Sequence, residues 1–103
     1  MLIQASAIKA GMVIAIKRDK YNEIALVLAK KGFVNVEFTH LDYQDAYGGA
    51  LVGSIQGTKK VKVITGLKRK YILKKIKDDV FKYLHDVEHL IDMIRLIEDM
   101  ERK

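Results

Sequence analysis

The sequence predicts an α+β protein in which a small unit of five β-strands is followed by one long amphipathic helix. Between Met12 and Ile64 the apolar residues occur in short, β-branched groups separated by turn residues, which is typical of a small all-β unit. After Gly66 the apolar residues follow the period of a helix instead. The 103 residues are enough for one core and too few for two. We therefore expect a β unit over residues 1–66 and a helix over residues 67–103.

Five segments carry the strand pattern. They run from Val13 to Ile16, from Ile24 to Leu28, from Phe33 to Phe38, from Ala50 to Ile55 and from Lys60 to Ile64. In the last strand, Val61 and Val63 point to one side of the sheet. Lys60 and Lys62 point to the other side, so we expect basic residues on an exposed sheet surface.

Beyond Gly66, one set of apolar residues shares one side of a helical wheel. The set is Ile72, Leu73, Ile76, Val80, Tyr83, Leu84, Val87, Leu90, Ile91, Ile94 and Ile97. Because the phase of this stripe is unbroken, the pattern favours a single helix from about Lys68 to Met100. A helix that starts near Asp79 is the alternative, if Tyr71 to Leu73 form a strand. A helix from Lys68 is about 45 Å long, so its far end needs a surface to cover it.

A second apolar patch lies roughly opposite the main stripe, at Met93, Leu96 and Met100. Methionine is flexible and polarisable, so a methionine-rich helical patch suits adaptable association. The patch predicts either a homodimer formed through the C-terminal helix or docking on a protein partner.

The strand-rich part resembles a known class of small barrels. Its five short strands, the first one preceded by Ala7 to Met12, look like an SH3-like barrel of the KOW and Tudor kind. The segment Ile3 to Ile14 (IQASAIKAGMVI) is similar to the start of the N-terminal barrel of bacterial elongation factor P, and Gly48 to Val52 (GGALV) is similar to a later segment of it. The resemblance covers residues 3–64 and implies a barrel that binds RNA, DNA or protein without chemistry of its own.

Nine basic residues occur between positions 59 and 77, with no acidic residue among them. They are Lys59, Lys60, Lys62, Lys68, Arg69, Lys70, Lys74, Lys75 and Lys77. Up to Lys77 the chain has 15 basic and 5 acidic residues, and after it 4 basic and 8 acidic residues. Such a dense cationic surface attracts polyanions, so we expect DNA or RNA as the partner. The ordinary alternative is a charged surface that contacts only water.

The side-chain chemistry of this run predicts how nucleic acid is bound. Lysine contacts phosphate as a point charge, whereas arginine supplies bidentate contacts to bases. We therefore expect a non-catalytic protein that contacts the phosphate backbone with little sequence specificity. The alternative function is a protein-interaction adaptor or regulatory factor that docks on a larger machine, such as a polymerase or ribosome, through its helix.

Three tyrosines, Tyr21, Tyr43 and Tyr47, fall in two loops that meet at one end of such a barrel. With Asp42 and Asp45 nearby, their rings would suit a cage for a methylated ammonium group. The rings would equally suit stacking on nucleobases. The ordinary alternative is that they fill loops with an apolar ring and a hydrated hydroxyl.

The string from His85 to His89 (HDVEH) matches the H-x-x-E-H pattern of inverted zinc peptidases. Both histidines fall on the polar side of the wheel, and no further segment offers a third ligand, so we expect a hydrated pair and no metal site. The sequence also lacks a P-loop, a dinucleotide-binding glycine pattern and a nucleophile elbow. We therefore expect no enzyme activity and no cofactor.

Composition bears on the compartment. The chain has no cysteine, which fits a reducing environment. Its opening residues lack a basic n-region, and the apolar run from Gly11 to Ile16 is only strand-sized, so we expect neither a signal peptide nor a membrane span. A cytoplasmic protein that does not bind membranes is the resulting expectation.

Overall fold

The structure, a computed structural model, describes residues 1–44, 49–83 and 87–102. Within these ranges, six strands form one antiparallel sheet that is followed by two helices. The strands are β1 (Leu2–Gln4), β2 (Val13–Lys17), β3 (Asn22–Lys31), β4 (Asn35–Asp42), β5 (Leu51–Gln56) and β6 (Lys60–Ile64). A short 3-10 turn, Ala5–Ala7, follows β1, and the helices are α1 (Gly66–Tyr83) and α2 (Val87–Glu101). The order of strands in the sheet is β1-β6-β2-β3-β4-β5, so the predicted α+β class is confirmed.

The five predicted strands correspond to β2 through β6, and β6 has the predicted limits. β4 begins two residues later than predicted, because Phe33 and Val34 lie exposed in the turn after Gly32. Gly32 has a φ of +89°, which a side chain rarely permits, so the chain leaves the strand conformation there. β1 was not predicted. With three residues it is too short to show alternation, and it is ordered by pairing with β6, where Leu2 lies opposite Lys62.

The predicted closed five-stranded barrel is not confirmed, because the sheet is open with β1 and β5 as its edges. The sheet is nevertheless curved, since Ile55 of β5 and Val61 of β6 share one hydrophobic cluster on the face away from the helices. The 3-10 turn contributes Ala5 to this cluster. The Ala5 N–H donates to the carbonyl of Lys59 at 2.7 Å. Backbone hydrogen bonds from this turn therefore hold the connection between β5 and β6 in place. In a closed barrel, pairing between strands would do this.

Two helices replace the single long helix that the pattern predicted. Ile76 of α1 and Ile97 of α2 share a second hydrophobic cluster with Leu26 and Leu41 of the sheet. A side chain of this size contributes about 1.5–3 kcal/mol when it leaves water, so folding α2 back onto the rest of the molecule is favoured over leaving its apolar side exposed. The longest extent of the molecule is 38 Å, less than the roughly 45 Å of the predicted helix.

Arg69 joins both helices to the sheet. Its Nη2 donates to the carbonyl of Gly11, just before β2, at 2.9 Å, and to the carbonyl of Met100, near the end of α2, also at 2.9 Å. Carbonyls in the last turn of a helix have no partner within the helix, and a cation there also interacts favourably with the helix dipole. Arg69 therefore has a structural role in the packing of α2. Among the described residues, no helix is both long enough and apolar enough to cross a bilayer.

Candidate nucleic-acid interface

β6 lies between β1 and β2 in the sheet and carries two exposed lysines. Lys60 and Lys62 are exposed, whereas Val61 and Val63 on the other face are buried, as the alternation predicted. Ile64, on the same face as the lysines, belongs to the cluster shared with the helices. The two lysines therefore extend from the helix-side face, at the end of β6 that the helices leave uncovered.

A third lysine, Lys17 of β2, lies on this same face. β2 pairs with β6 so that Val13 is opposite Ile64 and Ala15 is opposite Lys62. The pairing of β2 with β6 ends at Ala15, and Lys17 lies two residues further along β2 on the same face as Ala15. No carboxylate lies within ion-pair distance of these lysines in the described part of the chain. We call Lys17, Lys60 and Lys62 the lysine face.

A cleft of about 570 Å³ lies between the β2–β3 turn and the β5–β6 turn, and Lys17 is the member of the lysine face that lines it. It is lined by Ile16, Lys17, Arg18, Asp19, Lys20, Tyr21, Ile55, Gln56 and Lys59. Ile16 and Ile55 are buried members of the cluster on the face away from the helices, so the floor of the cleft is apolar. Its walls carry four basic residues and one acidic residue. The cleft is therefore an amphipathic, net cationic cavity.

Arg18 differs from the other basic residues of the cleft, because it has an acidic partner. Its Nε lies 3.4 Å from Oε2 of Glu23, and its backbone N–H donates to the carbonyl of Tyr21 at 2.9 Å. Oε1 of Glu23 in turn lies 3.6 Å from Nε2 of the buried His40. This contact chain holds Arg18 at the cleft wall, while Lys17, Lys20 and Lys59 keep uncompensated charge.

The basic residues of α1 divide into two groups. Lys68, Lys70 and Lys74 are exposed and have no ion pair within the described ranges. Arg69 is held by two backbone carbonyls, as described above. Lys77 lies 3.1 Å from Oε1 of Glu101 on α2. The predicted run of nine is therefore not one uniform binding surface.

Lys75 also has partners within the chain. Its ammonium group lies 2.8 Å from Oδ2 of Asp79 and 4.8 Å from the centre of the Tyr43 ring. The hydrogen bond with Asp79 raises the pKa of Lys75. The pKa of Tyr43 is also raised, first by burial and then by a hydrogen bond with Tyr71. Lys75 thus serves to pack α1 against the end of β4.

Two of the three predicted tyrosines, Tyr21 and Tyr43, lie in different parts of the structure. Tyr21 lines the cleft and is 61% exposed. Tyr43 packs on the helix-side cluster beneath Lys75, so the cation position over its ring is already taken. Tyr47 lies outside the described residues. Of the two tyrosines of this set that the structure describes, Tyr21 is therefore the one that lies exposed beside basic residues.

The predicted association patch on α2 is mostly internal. Met93 and Met100 are each 6% exposed and belong to the helix-side cluster, while Leu96 is 37% exposed. The helical wheel predicted that these methionines lie opposite the main apolar stripe and face a partner. In the structure they pack into the cluster between the helices and the sheet. His85 lies outside the described residues, as does the side chain of His89, and the described residues contain no group of three metal-ligating side chains.

The sequence analysis did not predict two candidate features. Lys17, Arg18 and Lys20 lie outside the predicted strands and outside the predicted run of nine basic residues, although the string KRDKY combines charge with an aromatic ring. Leu67 and Phe81 are exposed apolar side chains of α1 that lie outside the helical stripe, so the stripe does not predict them. Comparison of the chain with protein-family models, with curated proteins and with solved structures found no match.

Proposed function

We propose that this chain is a non-catalytic, cytoplasmic nucleic-acid-binding protein, which contacts the phosphate backbone of DNA or RNA with little dependence on sequence. The observation that carries the proposal is the lysine face. Lys17, Lys60 and Lys62 share one exposed face of neighbouring strands and have no carboxylate partner among the described residues. An SH3-like relationship of the KOW and Tudor kind for the β unit is part of the proposal, and the similarity of residues 3–64 to such barrels supports it.

The energetics of the lysine face favour an anionic partner. Like charges that share one face of a sheet repel each other. Lys17, Lys60 and Lys62 share such a face, and none of the three has a carboxylate partner in the described part of the protein. Phosphate groups would relieve this repulsion and release their own counterions on binding. Unpaired positive charge on an exposed face attracts polyanions.

Binding to duplex DNA at two salt concentrations tests the proposal. If five lysines contact phosphates, log affinity should fall against log salt with a slope of about −4 to −5. The double variant Lys60→Gln/Lys62→Gln should reduce the magnitude of this slope by about 2, because each phosphate contact contributes about 0.9. No retention of DNA or RNA at low salt would reject the proposal.

The matched control is Lys9→Gln/Lys31→Gln, which removes the same charge from two exposed lysines away from the lysine face. Lys9 precedes β2, at the opposite end of that strand from Lys17, and Lys31 ends β3. The control should leave the salt slope nearly unchanged. Equal losses in both variants would mean that only net charge matters and that the lysine face has no special role.

A protein-interaction adaptor is the second candidate, and exposed apolar side chains on α1 favour it. Leu67 is 85% exposed, and Phe81 on the same helix is also exposed. Docking on a larger machine or formation of a homodimer would cover them. Capture of partners from a lysate with and without nuclease separates the candidates: capture that survives nuclease and is lost in Leu67→Ser/Phe81→Ser supports the adaptor, and capture lost to nuclease opposes it.

A further inference from the structure

We infer that the cleft between the β2–β3 and β5–β6 turns binds an unpaired nucleotide of a single strand, with the base stacked on Tyr21. This inference rests on the proposed function and adds a preference for single strands to it. The juxtaposition that carries it is an exposed aromatic ring, an apolar floor and lysines without acidic partners around one cavity.

The cavity has the size and polarity that a nucleotide requires. Its volume of about 570 Å³ lies within the range of about 300–1,000 Å³ that is typical of small-molecule sites. Ile16 and Ile55 form an apolar floor but are almost fully buried, so the exposed ring of Tyr21 is the surface that the face of a base can cover. Stacking on such a surface tolerates different sequences, because every base has a π-face.

Tyr21 is placed for stacking by the turn that carries it. Its carbonyl accepts the N–H of Arg18 at 2.9 Å, which closes the turn between β2 and β3. Arg18 is itself held by Glu23. The ring of Tyr21 remains 61% exposed beside the cleft, so a large apolar surface stays in water until a ligand covers it. A nucleobase covers such a ring and leaves the phenol hydroxyl hydrated.

The charges around the cavity lie where a strand would carry its phosphates. Lys20 and Lys59 come from the two turns that form opposite walls, and Lys17 connects the cleft to the lysine face. Asp19 is the acidic residue of the lining. A base within a duplex is stacked between its neighbours and would have to be extruded to enter, whereas an unpaired base enters freely. The lysine face binds either form, and the cleft selects the single strand.

The test compares three probes that differ in what they can place in the cleft: a single-stranded oligonucleotide, a duplex of the same length, and inorganic polyphosphate, which has no bases. Tyr21→Ala should weaken single-strand binding by about 5- to 150-fold, the contribution of one stacked base. Binding of duplex and polyphosphate should change less than about twofold, because phosphate contacts remain. Tyr21→Phe keeps the ring and should restore single-strand binding.

Phe33→Ala is the matched control, because Phe33 is also an exposed aromatic in a hairpin turn but does not line this cleft. It should leave all three affinities unchanged. Ring-proton shifts of Tyr21 to higher field on addition of the oligonucleotide would report stacking directly. Parallel titrations of DNA and RNA strands of one sequence identify which sugar is preferred, since only RNA offers a 2′-hydroxyl.

The outcomes separate this inference from the function on which it rests. If Tyr21→Ala affects single strand and duplex equally, or affects neither, the cleft site is overturned while salt-dependent binding through the lysine face stands. If the wild-type protein retains none of the three probes at low salt, the cleft site and the proposed function both fall.

Discussion

Lys77 on α1 lies 3.1 Å from the carboxylate of Glu101 on α2, so the acidic end of the chain neutralises part of its basic run. Both side chains are about one-third exposed, and water screens the attraction between them. The contact shows that charge asymmetry along the sequence does not become the same asymmetry in space. Pairing of α1 with α2 brings a basic residue of α1 next to an acidic residue of α2. The lysine face has no such acidic partner among the described residues.

Neutralising Glu101 tests whether Lys77 belongs to the binding surface. Glu101→Gln should lower the free energy of unfolding by less than about 1 kcal/mol, because a partly exposed ion pair contributes little. It should also strengthen polyanion binding at low salt more than Asp92→Asn does, since Asp92 is an exposed acid on the same helix. Urea denaturation and binding titrations measure the two effects. Equal gains in affinity from both variants would exclude a specific role for Lys77.

Replacing Arg69 should destabilise the protein. Arg69→Met removes the hydrogen bonds from Nη2 to the carbonyls of Gly11 and Met100, and bonds to a charged group contribute about 1.5–3 kcal/mol. We expect the free energy of unfolding to fall by at least about 1.5 kcal/mol. The neighbouring, exposed Lys70→Met should change it by less than about 0.5 kcal/mol. Chemical denaturation provides the measurement, and similar values for both would contradict the bridging role of Arg69.

Core truncation distinguishes the packed side of α2 from its exposed side. Met93→Ala removes a buried side chain from the cluster between helices and sheet, and such truncations cost about 2–5 kcal/mol. Leu96→Ala, three residues further along, should cost less than about 1 kcal/mol because this side chain is partly in water. Thermal and urea unfolding report both. A larger loss from Leu96→Ala would mean that α2 packs through its other side.

Stability should decrease at strongly alkaline pH. The pKa of Tyr43 is raised chiefly by burial, and that of Lys75 chiefly by its hydrogen bond with Asp79. When the folded-state pKa exceeds the unfolded-state value, the folded protein holds more protons between the two, so the free energy of unfolding falls as pH rises. Unperturbed values near 10 for both groups place the onset at about pH 10.

The variant Tyr43→Phe isolates the contribution of the tyrosine to this pH dependence. Phenylalanine keeps the ring beneath the Lys75 ammonium and removes the titrating hydroxyl. Urea midpoints measured from about pH 9 to about pH 11, around the unperturbed tyrosine pKa, should decline less steeply in the variant than in the wild type. Parallel declines would show that the hydroxyl of Tyr43 has the same pKa in the folded and unfolded states.

Local sequence pattern predicted the features that depend on a few consecutive residues. Alternation within β6 is enough to place Lys60 and Lys62 on the exposed face and Val61 and Val63 in the interior, and the structure has them so. The α+β class follows in the same way from a change of period after Gly66. Side-chain direction in a strand or helix is a property of the backbone, so a short window suffices for it.

Tertiary structure decided whatever depends on residues far apart in the chain. The apolar stripe from Ile72 to Ile97 keeps the same helical period whether it forms one helix or two. Burial against the sheet favours two helices, and it places Met93 in the interior. Pairing of β2 with β6 places Ala15 opposite Lys62, so Lys17 and the lysines of β6 share one face of the sheet. Free energy of burial and of strand pairing is shared between distant segments, so neither result is encoded in the pattern of one segment alone.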